Sequence, residues 1–152
     1  VSDSALSVTT PLGHLTVVAR GDRLIALKWG GHGTDQTSVL QRAVDQLTGY
    51  FAGELRAFDL PLTLDSGVLQ SQVQEAMLAI PFGETRTYGD IARDLGAPAQ
   101  AIGQACGANK LPILIPCHRV LAANGLGGYS GQGGVEAKVA LLRLEGAASL
   151  LI

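Results

Sequence analysis

One stretch constrains this chain more than any other. Ile113-Leu114-Ile115 is an unbroken apolar run that closes on Pro116 and is followed at once by Cys117, His118 and Arg119. A run of this kind reads as a buried strand, here from Ile113 to Val120. A thiol beside an imidazole at the end of a buried strand has the makings of a nucleophile and its base. Free cysteine has a pKa of about 8.5, so its thiol is largely protonated near neutrality. A nearby imidazole can take that proton and, once charged, stabilise the thiolate. Neighbouring side chains of an extended strand point opposite ways, so Pro116 and a turn must redirect one of them, or a water must bridge the pair. The pair taken alone also fits a small buried cysteine with a hydrogen-bonded histidine next to it.

The chain has 152 residues, enough for one compact domain or two small ones. Its apolar fraction of 47% supplies a core, and with only 16% charged residues it does not read as disordered. No apolar run approaches the ~20 residues that span a bilayer. The opening Val1-Ser2-Asp3-Ser4 has no basic segment and is not read as a signal peptide. Two cysteines, Cys106 and Cys117, make no disulfide framework and fit a reducing cytoplasm, which would keep Cys117 reactive. A net charge of −2 argues against a strongly basic nucleic-acid binder but leaves room for a local basic patch.

Residues 5–29 read as three strands. Leu6 and Val8 alternate with polar neighbours, as do Leu15, Val17 and Ala19, with turns at Pro11-Leu12-Gly13 and Gly21-Asp22. His14 and His32 have no cysteine or carboxylate at ligand spacing, and no metal is expected. Leu40, Val44, Leu47 and Phe51 predict a helix over Ser38–Phe51, stopped at Gly53. Phe58, Leu60, Leu62 and Leu64 alternate as an edge strand that tolerates Pro61. Asp65-Ser66-Gly67 marks a boundary, giving domains 1–65 and 66–152. Leu69, Val73, Ala76, Met77 and Ile80 then follow one helical face. Thr87-Tyr88-Gly89-Asp90 is a capping box with Asp in the fourth place. It opens a short helix ended by Gly96-Ala97-Pro98, and a second, rich in small residues, runs from Ala99 to Ala108. Two short helices across a glycine turn read as helix-turn-helix, or as two packed core helices. A loop with six glycines from Asn124 to Gly134 leads to a last helix with Val135, Val139 and Leu142 on one face.

These motifs resemble the O6-alkylguanine-DNA alkyltransferase family of self-inactivating repair proteins. The resemblance rests on Ile80-Pro81-Phe82-Gly83-Glu84-Thr85, Thr87-Tyr88, Asn109, Ile115-Pro116-Cys117-His118-Arg119-Val120, Gly128-Tyr129-Ser130-Gly131, Lys138 and Leu144-Glu145-Gly146. It is strong over residues 67–147 and looser over 5–64. It implies an α/β fold: a small antiparallel sheet with a helix, then a mainly helical domain with a winged-helix-like helix-turn-helix. It implies repair of O6-alkylguanine, and O4-alkylthymine, in double-stranded DNA, with the alkyl group transferred once to Cys117. No cofactor is implied, because the lesion is the alkyl donor. A cytoplasmic monomer with no membrane contact is expected.

By the same resemblance, His118 takes the thiol proton through a water, Glu145 orients His118, and Asn109 pins the turn that presents the cysteine. Tyr88 gives its hydroxyl to guanine N3 and crowds the backbone phosphate. Ser130 bonds O6, Tyr129 closes the pocket wall, and the carbonyls of Cys117 and Val120 read the exocyclic amine. The helix with Gln100, Ala101 and Gly103 enters the minor groove, where small residues permit close approach. Arg86, Arg93, Lys110 and Lys138 are candidate phosphate contacts, and Arg119 a candidate intramolecular partner.

The chain departs from the family in three places. Gln100 stands where most members carry an arginine that fills the gap left by the flipped base. Leu69 and Gln74 replace Phe and Trp, and the zinc cysteines of some first domains are missing. Cys106 reads as a packing residue rather than a second acceptor. Two other functions are carried alongside: a non-catalytic alkyltransferase-like lesion binder, and a cysteine hydrolase built on Cys117, His118 and Glu145.

Overall fold

The computed structural model describes residues 2–129 and 134–147. The chain divides into two compact units, Val1–Thr63 and Leu64–Ile152. In the first, β1 (Asp3–Thr10), β2 (Gly13–Arg20) and β3 (Arg23–Trp29) form an antiparallel sheet in chain order, with a register shift at Val18/Ala19. The alternation seen in the sequence is the reason: Leu15, Val17, Ala19, Leu24 and Leu27 fall on one face and are buried. Helix α1 (Ser38–Phe51) covers that face with Val39, Leu40, Ala43, Leu47 and Tyr50, and Thr37 caps its N-terminus.

Residues 58–64 do not form the edge strand expected of them. They make one parallel bridge, Leu24 to Leu62, with Leu24 N–H donating to Pro61 O (2.8 Å) and Thr63 N–H to Leu24 O (2.9 Å). Pro61 has no N–H, so a longer ladder would lose a donor at its centre.

The second unit opens with α2 (Val68–Leu78), which ends two residues before Ile80. Two-residue strands β4 (Arg86–Thr87) and β5 (Val120–Leu121) pair in parallel. Between them lie α3 (Tyr88–Leu95) and α4 (Ala99–Gly107), the expected helix-turn-helix. Thr87 and Asp90 form both bonds of the capping box, and Gly96 ends α3 in the left-handed conformation, φ 65°, that a Cβ would strain. Gln70 Nε2 donates to Ala105 O (2.8 Å), tying α2 to α4.

The last helix, α5 (Gly134–Glu145), buries Leu142 as expected but leaves Val139 half-buried and Val135 outside its inward face. Ala137, Lys138, Leu141, Leu142 and Glu145 are buried, while Val135 is exposed. Two of the inward positions are charged, so hydrophobic spacing alone found only part of the stripe.

Candidate active site

The stretch Ile113–Val120 is buried throughout, but Ile113–Arg119 form no strand and only Val120, at its end, joins β5. Pro112 bridges Ile115, Ile113 sits at φ 72°, and Cys117–Arg119 form one turn of 3-10 helix. A left-handed conformation at a β-branched residue is strained and must be held from outside. Asn109 does part of the holding. Its Nδ2 donates to Ile115 O (2.9 Å) and its Oδ1 accepts from Leu111 N–H (3.1 Å), so one side chain clamps both ends of the turn. Two prolines at 112 and 116 remove the donors a ladder would need. The resulting turn redirects Cys117 and His118, as two adjacent strand residues could not be.

His118 is fully buried, and its Nε2 lies 2.8 Å from Glu145 Oε2. A carboxylate only accepts, so Nε2 carries the hydrogen and Nδ1 keeps a lone pair. That Nδ1 is buried and has no hydrogen-bond partner among the described residues. Burial drives the His118 pKa below the usual histidine value; the Glu145 contact pulls the other way without reversing it. The imidazole is thus neutral near pH 7, with a free acceptor. Glu145 is itself held by Arg119, whose Nε reaches Oε1 at 2.9 Å and Nη2 reaches Oε2 at 3.0 Å. Arg119 Nη1 also donates to Ile80 O (2.6 Å). Arg119 is therefore the intramolecular partner the sequence suggested, and it neutralises the carboxylate.

Cys117 opens on a cavity of about 450 Å³. Helix α4 lines it with Gly103, Cys106 and Gly107, α3 with Tyr88, and the following loop with Gly128 and Tyr129. A Cβ at Gly127 would stand 3.0 Å from the Tyr88 hydroxyl, so that glycine lets the loop close on the tyrosine. Burial raises the Tyr88 pKa, keeping its hydroxyl a proton donor. Cys106 packs against Met77, Sγ to Sδ 3.7 Å, and burial pushes its thiol up to about 12, which makes it inert.

Among the expected site residues, the structure brings together Cys117, His118, Glu145, Asn109, Tyr88 and Tyr129. The carbonyls of Cys117 and Val120 already accept from Val120 N–H and Lys138 Nζ, leaving each a second lone pair. Ser130 lies outside the described residues. On α4, Gln100 is exposed and Ala101 and Gly103 half-buried. A Cβ at Gly103 or Gly107 would meet nothing within 4 Å, so the small residues leave open space rather than serving an internal contact. Lys110 is exposed. Arg86 pairs with Asp94 (2.7 Å) and Arg93 with Asp90, both at the surface. Lys138 is not at the surface: it is fully buried, which removes it from the candidate phosphate contacts. The sequence carried one signal of this, since Lys138 stands seven residues before Glu145, on the same helical face. Among the described residues, no group of three His, Cys, Asp or Glu could hold a metal, and no helix is long and apolar enough to cross a membrane.

Both parts of the chain match known proteins. Residues 68–147 match the family model described as 6-O-methylguanine DNA methyltransferase, DNA binding domain. Residues 7–64 match that of the ribonuclease-like domain of the same proteins. The methylated-DNA–protein-cysteine methyltransferase of Mycobacterium tuberculosis is 44% identical over 150 residues, 91% of this chain and 90% of its own. The constitutive enzyme of that name from Bacillus subtilis is 40% identical over 151 residues, 90% of this chain and 91% of its own. Among solved structures, the M. tuberculosis OGT in complex with DNA superposes with a TM-score of 0.83 at 43% identity, covering 96% of each chain.

Proposed function

The chain belongs to the 6-O-methylguanine DNA methyltransferase family, and from that premise we infer how its own residues perform the transfer. It is a DNA repair protein that moves an alkyl group directly from damaged DNA onto itself. In our reading the acceptor is Cys117. His118 Nδ1 takes the thiol proton, directly or through a water, and the sulfur attacks the alkyl carbon on guanine O6. The carbon–oxygen bond breaks, its electrons leave with the guanine, and Tyr88 supplies a hydrogen bond at N3. Glu145, held by Arg119, orients His118 and stabilises it once protonated. The product is an alkyl thioether, which has no carbonyl for water to attack and does not release its alkyl group to water, so one chain repairs one lesion.

The observation that carries this reading is the orientation of His118: Nε2 is committed to Glu145, which leaves Nδ1 as the one acceptor of a neutral imidazole. Tyr129 walls the pocket, the exposed face of α4 with Gln100, Ala101 and Gly103 meets the minor groove, and Arg86 and Lys110 reach phosphates. Flipping the base costs a few kcal/mol of unstacking, which the cavity contacts repay. The division into domains 1–65 and 66–152 belongs to the same proposal and draws support from the two compact units and the two matched segments. So does a cytoplasmic monomer, whose two buried cysteines fit a reducing compartment.

The test is to incubate the protein with excess duplex carrying O6-methylguanine and then weigh it. A gain of one methyl on Cys117, with repair stopping at one lesion per chain, is the expected result. Tight binding without a mass change would make the protein a lesion binder, and continued turnover of an ester or amide a hydrolase.

A further inference from the structure

Lys138 is a buried charged group that the transfer chemistry leaves unused. Its Nζ donates to Val120 O (2.7 Å) and Gly128 O (2.9 Å) and stands 5.8 Å from the centre of the Tyr88 ring. Those three partners locate it. Val120 follows Cys117 by three residues, and Tyr88 and Gly128 line the cavity onto which Cys117 opens. The ammonium therefore lies just behind the wall of the reaction pocket. What it lacks is an anion. Arg119, the other buried cation of this unit, is cancelled by Glu145, but no carboxylate comes within 4.0 Å of Lys138 among the described residues. Carbonyl oxygens and an aromatic face solvate an ammonium without cancelling its charge.

We propose that Lys138 is an electrostatic positioning residue for the transfer: its ammonium, unmatched by any carboxylate and set behind the cavity wall, stabilises the negative charge that forms on the Cys117 sulfur. This deepens the reading of Cys117 as alkyl acceptor and rests on it. The charge balances at each step. Cys117 gives its proton to His118, and the thiolate left behind lies in the cavity whose wall Lys138 backs. On displacement the sulfur becomes a neutral thioether and the negative charge passes to the departing guanine in the same cavity, matched by the proton held on His118. Burial lowers the Lys138 pKa to about 8, while negative charge on Cys117 raises it. The other groups facing Lys138 leave that window clear. Tyr88 and Cys106 are both shifted upward, His118 is shifted downward, and Arg119 and Glu145 are spent on each other.

The test reads the thiol itself. Wild-type protein, K138M and K138R are alkylated with iodoacetamide across pH, and the rate at Cys117 is followed by peptide mass. In K138M the midpoint of Cys117 reactivity should rise by about one pH unit, so that reactivity at neutral pH falls about tenfold. K138R, which keeps the charge, should stay near the wild-type midpoint. An unmoved midpoint in K138M, or an equal rise in both variants, overturns the proposal. Should K138M fail to fold, the reciprocal measurement decides. By linkage, the Lys138 side chain, followed by NMR, should titrate at lower pH in C117S than in wild type. An identical Lys138 titration in the two proteins overturns the proposal as well. Normal methyl transfer with an unmoved thiol midpoint sinks the Lys138 role alone. A wild-type protein that takes up no methyl sinks the acceptor role of Cys117 instead.

Discussion

The two units solve the problem of a core in different ways. In the first, the sheet and α1 bury aliphatic side chains and Tyr50, and Thr16 is the one buried polar residue among those described. Its hydroxyl is satisfied by Ser7 Oγ (2.8 Å) and Gly30 O (2.7 Å). The second buries six: Gln74, Asn109, His118, Arg119, Lys138 and Glu145. Such groups are costly to desolvate and repay little stability compared with apolar packing. A unit that buries five of them around one cysteine gives up packing efficiency to fix the direction and charge of a few atoms. The first unit should therefore respond to volume, and the second to charge.

The largest effect expected is C117S. A serine hydroxyl is far less acidic than a thiol and is not held as an anion beside an imidazole, so it is a poor nucleophile for displacement at an alkyl carbon; methyl uptake by mass should vanish while the melting temperature moves little. Uptake by C117S at another residue would break the contrast, since the buried charges would then serve no single nucleophile. Next comes E145Q. It leaves the Arg119 guanidinium buried without its anion and His118 without its orienting partner. Urea unfolding should show a loss of about 3–5 kcal/mol, and single-turnover transfer should slow in the protein that remains folded. Adding R119M should recover much of the stability and none of the transfer. Recovery of both would mean that the pair is structural only.

L47A in α1 tests the other side. Removing a fully buried leucine should cost about 2–5 kcal/mol, and Cys117 reactivity in the folded protein should keep its pH profile. A gentler effect separates the units by acid. His118 holds a folded pKa below its unfolded value, so as pH falls below about 6.5 the unfolded chain takes up a proton that the folded chain refuses. Stability should decline through that range, in full below the folded pKa, and H118N should flatten the decline while L47A keeps it.

The same difference governs what could be read from the sequence. In the first unit, period and turn residues sufficed: the strands, and α1 from Ser38 to Phe51, lie where the pattern puts them, because burial on one face is what shaped that pattern. The failure at 58–64 came from a missing N–H at Pro61, which an alternation of side chains does not register. In the second unit, local signals such as the Thr87–Asp90 capping box were legible for the same reason that they are local. Ile113–Ile115, apolar at every position, carries no period, and its path is set by Asn109 from outside the run. On α5 the inward face bears Lys138 and Glu145, so a reading that buries only apolar residues misplaces part of that face. The motif around Cys117 was visible through family resemblance, whereas the commitment of Arg119 to Glu145 and the isolation of Lys138 required coordinates.

The smallest effect expected is also the one that reaches past both cores. Gln100 is exposed near the start of α4, on the helix whose glycines leave open space before it. Glutamine is uncharged and shorter than arginine. It can hydrogen-bond an unpaired cytosine but adds no attraction to phosphate, and it fills less of the gap that an extruded base leaves. Q100R should therefore tighten DNA binding with a steeper salt dependence, by about one further phosphate equivalent, and speed single-turnover repair a few-fold. It should leave the iodoacetamide reactivity of Cys117 unchanged, because no charge is added beside the sulfur. If Q100R repairs no faster while binding more tightly, extrusion of the base is not what limits this protein. The slow step would then lie in the buried charge cluster of the second unit, at proton removal from Cys117.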